Sequence, residues 1–162
     1  MASVCSVCFS TDNKRIVSGS NDASIKIWDA VTGALIKTLN GHTGSVDSVC
    51  FSSDNKRIIS GSPYKSIKIW NAETGKLINT LDCHTSSVRS VCFSSDNKRI
   101  VCGSHNGIKI LNSETLDQEL IPQAESAELI NTLDGYTGSV WSVCCSSSYD
   151  SDLMEKLKKI IS

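Results

Sequence analysis

The 162 residues carry 40% hydrophobic and 20% charged side chains, an ordinary globular make-up that argues against disorder along the whole chain. Lys and Arg number 16 against 17 Asp and Glu, a formal charge of -1, so no global field draws the chain to nucleic acid or an anionic membrane. No stretch approaches the roughly 20 apolar residues of a membrane span, and Met1 to Ser10 lacks the basic and apolar regions of an export signal. The expectation is a chain acting in the cytoplasm, or the nucleus, with reduced thiols.

Taken in chain order, the dominant feature is a repeat. Residues 8–16 read Cys-Phe-Ser-Thr-Asp-Asn-Lys-Arg-Ile, and both 50–58 and 92–100 read Cys-Phe-Ser-Ser-Asp-Asn-Lys-Arg-Ile, a period of 42. Residues 3–44 and 45–86 are identical at 29 of 42 positions. A period near 40 to 45 is that of four-stranded propeller blades. Units are expected at about 3–40, 45–82 and 87–134, with a partial fourth at 139–145. In the second unit the strand signals fall at Val46 to Ser52, Arg57 to Ser62, Ser66 to Asn71 and Lys76 to Asp82, an antiparallel meander.

Asp-Asn at 12–13, 54–55 and 96–97 and Thr-Gly at 32–33 and 74–75 supply residues that tolerate a left-handed backbone at hairpins. Strands apolar on both faces cannot hide their surface within one unit, so stacking on a neighbour is required. Cys8, Cys50, Cys92 and Cys144 occupy one slot of successive units, where a thiol serves as a small core hydrophobe. The third unit carries an insertion between Thr115 and Leu129, read as an exposed loop. After Cys145 the repeat stops, and Asp152 to Ile161 is expected to form a short amphipathic helix within a 146–162 tail.

Gly41-His42, Ser18-Gly19-Ser20, Ile25 to Asp29 and Ile67 to Asn71 together resemble the WD-repeat (β-transducin-like) family over residues 3 to 145. The resemblance implies an all-β, partial WD-type β-propeller. It implies a non-catalytic protein-interaction scaffold without cofactor. It also implies a hydrogen-bonded set in each blade: His before the first strand, Ser or Thr in the second, Asp in the following hairpin, Trp in the third. Ser18, Asp22 and Trp28 fill it in the first blade, His42, Ser60 and Trp70 in the second, and His84 alone in the third. Tyr64 stands at the Asp position of the second blade, and Cys102, Asn106 and Leu111 replace the third blade's other members. A partly filled buried network leaves donors without partners, so the third blade is expected to be the softest.

Other chemistry is weaker. Ser60 and His42 are triad ingredients, yet they coincide with the structural set and no Gly-x-Ser-x-Gly elbow is present. Cys5-x-x-Cys8 and Cys102-x-x-His105 are single pairs, not zinc motifs, and residues three apart on a straight strand point oppositely. Lys14-Arg15, Lys56-Arg57 and Lys98-Arg99 each follow an Asp and are read as solvated, self-neutralised turns.

Differences among near-identical units are more informative. The slot Cys5, Asp47, Arg89, Trp141 differs every time, as does the hairpin at 21–23, 63–65 and 105–106. Alternate turns of a meander lie at one end, so both variable elements share a rim. Resemblance to the family nominates Asp47, Tyr64, Lys65, Arg89, His105 and Trp141 as partner contacts, for a protein or peptide. Three blades and a strand do not close a ring. The alternative is therefore a fragment, or a half-propeller that another copy or more of a longer chain completes.

Overall fold

The computed structural model describes residues 2–81, 86–114, 128–133, 135–136 and 138–144. The expected tail helix, the insertion loop and His84 lie outside them. Twelve strands run in chain order among the described residues: β1 (Val4–Phe9), β2 (Arg15–Ser20), β3 (Ile25–Asp29) and β4 (Leu35–Leu39) form the first blade. Next come β5 (Ser48–Phe51), β6 (Arg57–Gly61), β7 (Ile67–Asn71) and β8 (Leu77–Leu81). The third blade has β9 (Val88–Phe93), β10 (Arg99–Ser104), β11 (Gly107–Asn112) and β12 (Leu129–Leu133). Each blade is an antiparallel meander with strands in sequence order. Turns at Asn13, Asn55 and Asn97 take φ near 60°, and Gly33 and Gly75 take φ of 71° and 76°, as the turn chemistry requires.

The core lies between the blades. Adjacent residues of a strand point to opposite faces, so Ile58 packs towards the first blade with Val17, Ile27 and Phe51, whereas Ile59 packs towards the third with Val91, Phe93 and Ile100. Close approach is permitted by Gly19 and Gly103, where a Cβ would meet Val46 Cγ1 at 2.7 Å and Val140 Cγ1 at 2.9 Å.

Two ladders clasp neighbouring blades. At the innermost strands, Ser6 Oγ accepts from Val49 N–H (3.1 Å), Ser48 Oγ from Val91 N–H (3.0 Å) and Ser90 Oγ from Val143 N–H (2.9 Å). At the turns, Thr11 N–H donates to Asn55 Oδ1 and Ser53 N–H to Asn97 Oδ1, both at 2.8 Å. Residues 138–144 continue the array: Val140 N–H donates to Ser104 O at 3.0 Å.

Three expectations are corrected. The cysteine slot is not uniformly core: Cys92 is buried, Cys8 and Cys50 are half-buried and Cys144 is exposed. The basic pairs are not simply solvated turns. Arg15 Nη2 donates to Asn55 O (2.8 Å) and stacks over Phe51, and buried Arg57 donates to Asn97 O (3.2 Å) and stacks over Phe93. Only Arg99 of the three is exposed, near Asp96. Nor does the third blade's altered set leave orphaned groups at Cys102 and Leu111, since Leu111 is fully buried in the Trp slot and the Cys102 thiol donates to Lys109 O.

Candidate interaction site on the variable rim

Each blade's first strand begins with an irregularity that re-aims one side chain. In β1, Val4 pairs Ser20 and Ser6 pairs Gly19, leaving Cys5 as the extra residue of a bulge. In β9, Val88 pairs Ser104 and Ser90 pairs Gly103, leaving Arg89. Asp47 N–H donates to Gly61 O, the residue that Ser48 also pairs. A bulged residue is free of the alternation that governs its neighbours. The slot that varies most is thus the slot that the backbone turns out of the strand.

These side chains meet. Arg89 Nη1 forms an ion pair with Asp47 Oδ2 at 2.7 Å, and its guanidinium lies 4.8 Å from the centre of the Trp141 ring. Trp141 is 67% exposed, while Asp47 and Arg89 are half-buried. Cys5 Sγ donates to Asn21 Oδ1 at 2.9 Å. Desolvation, and then the Asp47 carboxylate, raise the Cys5 pKa above the usual thiol value. Four successive copies of one slot therefore line a continuous strip.

Of the other nominated residues, Tyr64 is 66% exposed and its ring covers Gly44, where an added Cβ would come within 2.1 Å of Tyr64 Cδ2. Lys65 is exposed at the same hairpin with φ of 67°. Ser139, in the segment entering the next repeat, hydrogen-bonds the exposed His105 ring at Nδ1. Sequence reasoning foresaw none of the direct contacts among Asp47, Arg89 and Trp141, although their shared slot was legible.

The hydrogen-bonded set sits deeper. Trp28 Nε1–H donates to Ser18 Oγ and Trp70 Nε1–H to Ser60 Oγ, each at 2.9 Å. His42 Nε2 lies 2.7 Å from Ser60 Oγ, and Nδ1 lies 3.2 Å from Ser66 Oγ. Ser66 thus stands where an acid would face the ring. The first blade keeps Asp22, whose Oδ1 accepts from Ser24 N–H and Oγ–H. Burial, and then the Lys68 charge, push His42 down to about 4, so the imidazole is neutral near pH 7.

Stacked four-stranded meanders clasped at their inner strands define an arc of a β-propeller. The family model of the WD domain, G-beta repeat, matches residues 2–29, 33–71 and 75–110. The chain belongs to the WD-repeat family, whose propellers are generally non-catalytic scaffolds for protein partners. It is 51% identical over 39 residues to F-box/WD repeat-containing protein 7 of Drosophila melanogaster, covering 24% of this chain and 3% of that protein. Over 38 residues it is 50% identical to F-box and WD repeat domain-containing 11-A of Danio rerio, covering 24% and 7%. The solved structure of U3-55K superposes with a TM-score of 0.76 at 25% identity, over 88% of this chain and 42% of that one. The chain thus spans only a small part of these curated relatives and less than half of the structural neighbour. Among the described residues no helix is long and apolar enough to cross a membrane.

Proposed function

We propose that the chain is a non-catalytic recognition module that holds a protein or peptide on the rim of Asp47, Arg89 and Trp141, flanked by Tyr64, Lys65 and His105. The observation that carries this reading is the contact of Arg89 with both Asp47 and Trp141, three residues that differ in otherwise near-identical blades. Exposed Trp and Tyr beside a pre-oriented Arg are the residue types that dominate binding energy at interfaces. Ser60 favours the non-catalytic reading: it is fully buried and its oxygen is already engaged by Trp70 and His42. No cofactor, nucleic acid or membrane enters the reading, and cysteines held as thiols suit a cytoplasmic or nuclear setting.

A displayed peptide library panned on the purified chain tests it. Selected peptides should lose at least tenfold affinity with Trp141→Ala or Arg89→Ala, the circular dichroism spectrum being unchanged. Peptides that bind both variants as tightly as the parent would sink the rim.

A second reading concerns the leading face of the first blade. Val7 and Phe9 are 66% and 57% exposed, whereas their counterparts Val49 and Phe51 are 5% and 4% exposed under the preceding blade. Such a face suits further blades from another copy or from more of a longer chain. Light scattering on the purified chain separates these: a discrete oligomer that survives dilution favours self-completion, and a folded monomer removes it.

A further inference from the structure

Two Asn-Gly steps occur in the chain, at 40–41 and 106–107, and the fold treats them differently. An asparagine followed by glycine is open to attack on its side chain by the next backbone nitrogen, because no Cβ on the following residue obstructs the approach. Asn106 N–H donates to Ser104 Oγ at 3.1 Å, and buried Gly107 pairs Ser104 at the closing rung of the β10–β11 ladder. That hairpin must open before the backbone around Asn106 can turn. Asn40 instead stands one residue past the end of β4, and both Asn40 and Gly41 are exposed. Among the described residues neither the Asn40 side chain nor Gly41 N–H has a hydrogen-bond partner. The glycine is required there, since a Cβ at Gly41 would lie 3.0 Å from Trp70 Cη2 and the backbone takes φ of 156°. The asparagine is not, for Asp82 and Asp134 fill its slot in the other two repeats.

We propose that Asn40-Gly41 is a site of spontaneous deamidation, and that the isoaspartate it yields, unlike aspartate, loosens the entry to the second blade. The Gly41 nitrogen loses its proton to solvent and attacks Asn40 Cγ. The new carbon–nitrogen bond closes a cyclic imide, while the bond from Cγ to the side-chain nitrogen breaks and that nitrogen leaves as ammonia. Water then opens the imide. Breaking it at Cγ restores the ordinary backbone and gives aspartate, the residue already present in the other two repeats. Breaking it at the main-chain carbonyl carbon gives isoaspartate, whose backbone runs through Cβ and Cγ and is longer by a methylene. One water is consumed and one ammonia released, with no change of oxidation state. The added methylene falls just before His42, whose Nε2 lies 2.7 Å from Ser60 Oγ in the buried set that also holds Trp70.

The test holds the purified full chain at mildly alkaline pH, folded and in urea, and maps its peptides at intervals by mass spectrometry with electron-transfer fragmentation, which separates aspartate from isoaspartate. In the folded chain Asn40 should convert to both products roughly tenfold faster than Asn106, and in urea the two should convert at similar rates. The aged chain, resolved from the parent by its extra negative charge on anion exchange, should unfold at a lower urea midpoint than Asn40→Asp, which should match the parent. The rate comparison on the unmutated chain needs no variant to fold. Equal rates at Asn40 and Asn106 in the folded chain, conversion of Asn40 only in urea, or an aged chain as stable as Asn40→Asp would overturn the proposal.

Discussion

Arg89 reaches back 42 positions to place Nη1 2.7 Å from Asp47 Oδ2, its counterpart in the preceding blade. The bulge at Arg89 and the irregular entry at Asp47 turn both side chains out of their strands, so the pair links blades at the surface rather than through the core. Water still reaches both groups, which limits the attraction. A double-mutant cycle with Asp47→Asn and Arg89→Ala is expected to give a coupling of about 0.5 kcal/mol by urea denaturation, shrinking at high salt. Coupling unaffected by salt would contradict a pair that water still reaches.

Ser60 and Ser18 occupy the same slot but differ in what depends on them. Removing the Ser60 hydroxyl strands both Trp70 Nε1–H and the His42 ring in a buried site, at a cost of about 2 kcal/mol. Ser18→Ala leaves only the half-exposed Trp28 without its acceptor and is expected to cost about half as much. Equal losses in urea midpoints would refute the ranking.

The neutral His42 makes stability depend on mild acid. In the unfolded chain the imidazole takes a proton near 6.5, but in the folded chain only at about 4. Between those values the unfolded state binds more protons. The contribution is therefore complete above about pH 6.5 and lost as pH falls to about 4, by roughly 2 kcal/mol, some solvent still reaching the ring. His42→Gln should flatten this slope in denaturation curves at several pH values. A slope that persists in the variant would assign it elsewhere.

Arg57 and Arg99 follow identical turns yet meet different surroundings. Buried Arg57 donates to Asn97 O and stacks 5.0 Å from the Phe93 ring centre, so Arg57→Ala is expected to cost about 2 kcal/mol. Arg99→Ala, at an exposed side chain, should fall within about 0.5 kcal/mol of the parent. Comparable thermal shifts for both would remove the clasp.

Gly19 sits where the second blade packs close against the first. An Ala there would bring its Cβ to 2.9 Å from Val46 O, an atom that cannot rotate away, and to 2.7 Å from Val46 Cγ1. Gly19→Ala is expected to lose about 2 kcal/mol, measured by thermal unfolding. A neutral outcome would mean that the blades separate without penalty.

The blades, their turns and their order were legible in the sequence, because the period of 42 repeats hairpin residues such as Asn13 and Asn55 together with the apolar strands between them. The two serine and asparagine ladders were not. Ser6, Ser48 and Thr11 look like ordinary strand and turn residues until a neighbouring blade supplies the backbone N–H or carbonyl that each engages. The same holds for Arg15 and Arg57. Read alone, each follows an Asp and looks neutralised within its own turn, but the long side chain spends its donors on the next blade. At the rim, variation singled out the slot shared by Asp47 and Arg89, while the backbone irregularities that bring the two side chains together carry no signature in residue type.

Because Ser48 clasps the blade ahead and Val49 N–H is clasped by the blade behind, a single 42-residue unit carries both halves of the same fastening. Units of this kind are interchangeable parts. A tandem copy inserted between two others finds a matching catch on either side and disturbs neither neighbour, so the array can lengthen without inventing a new surface. On the reading proposed above, the slot that runs Asp47, Arg89, Trp141 can change from unit to unit while the serine ladder between the inner strands stays as it was.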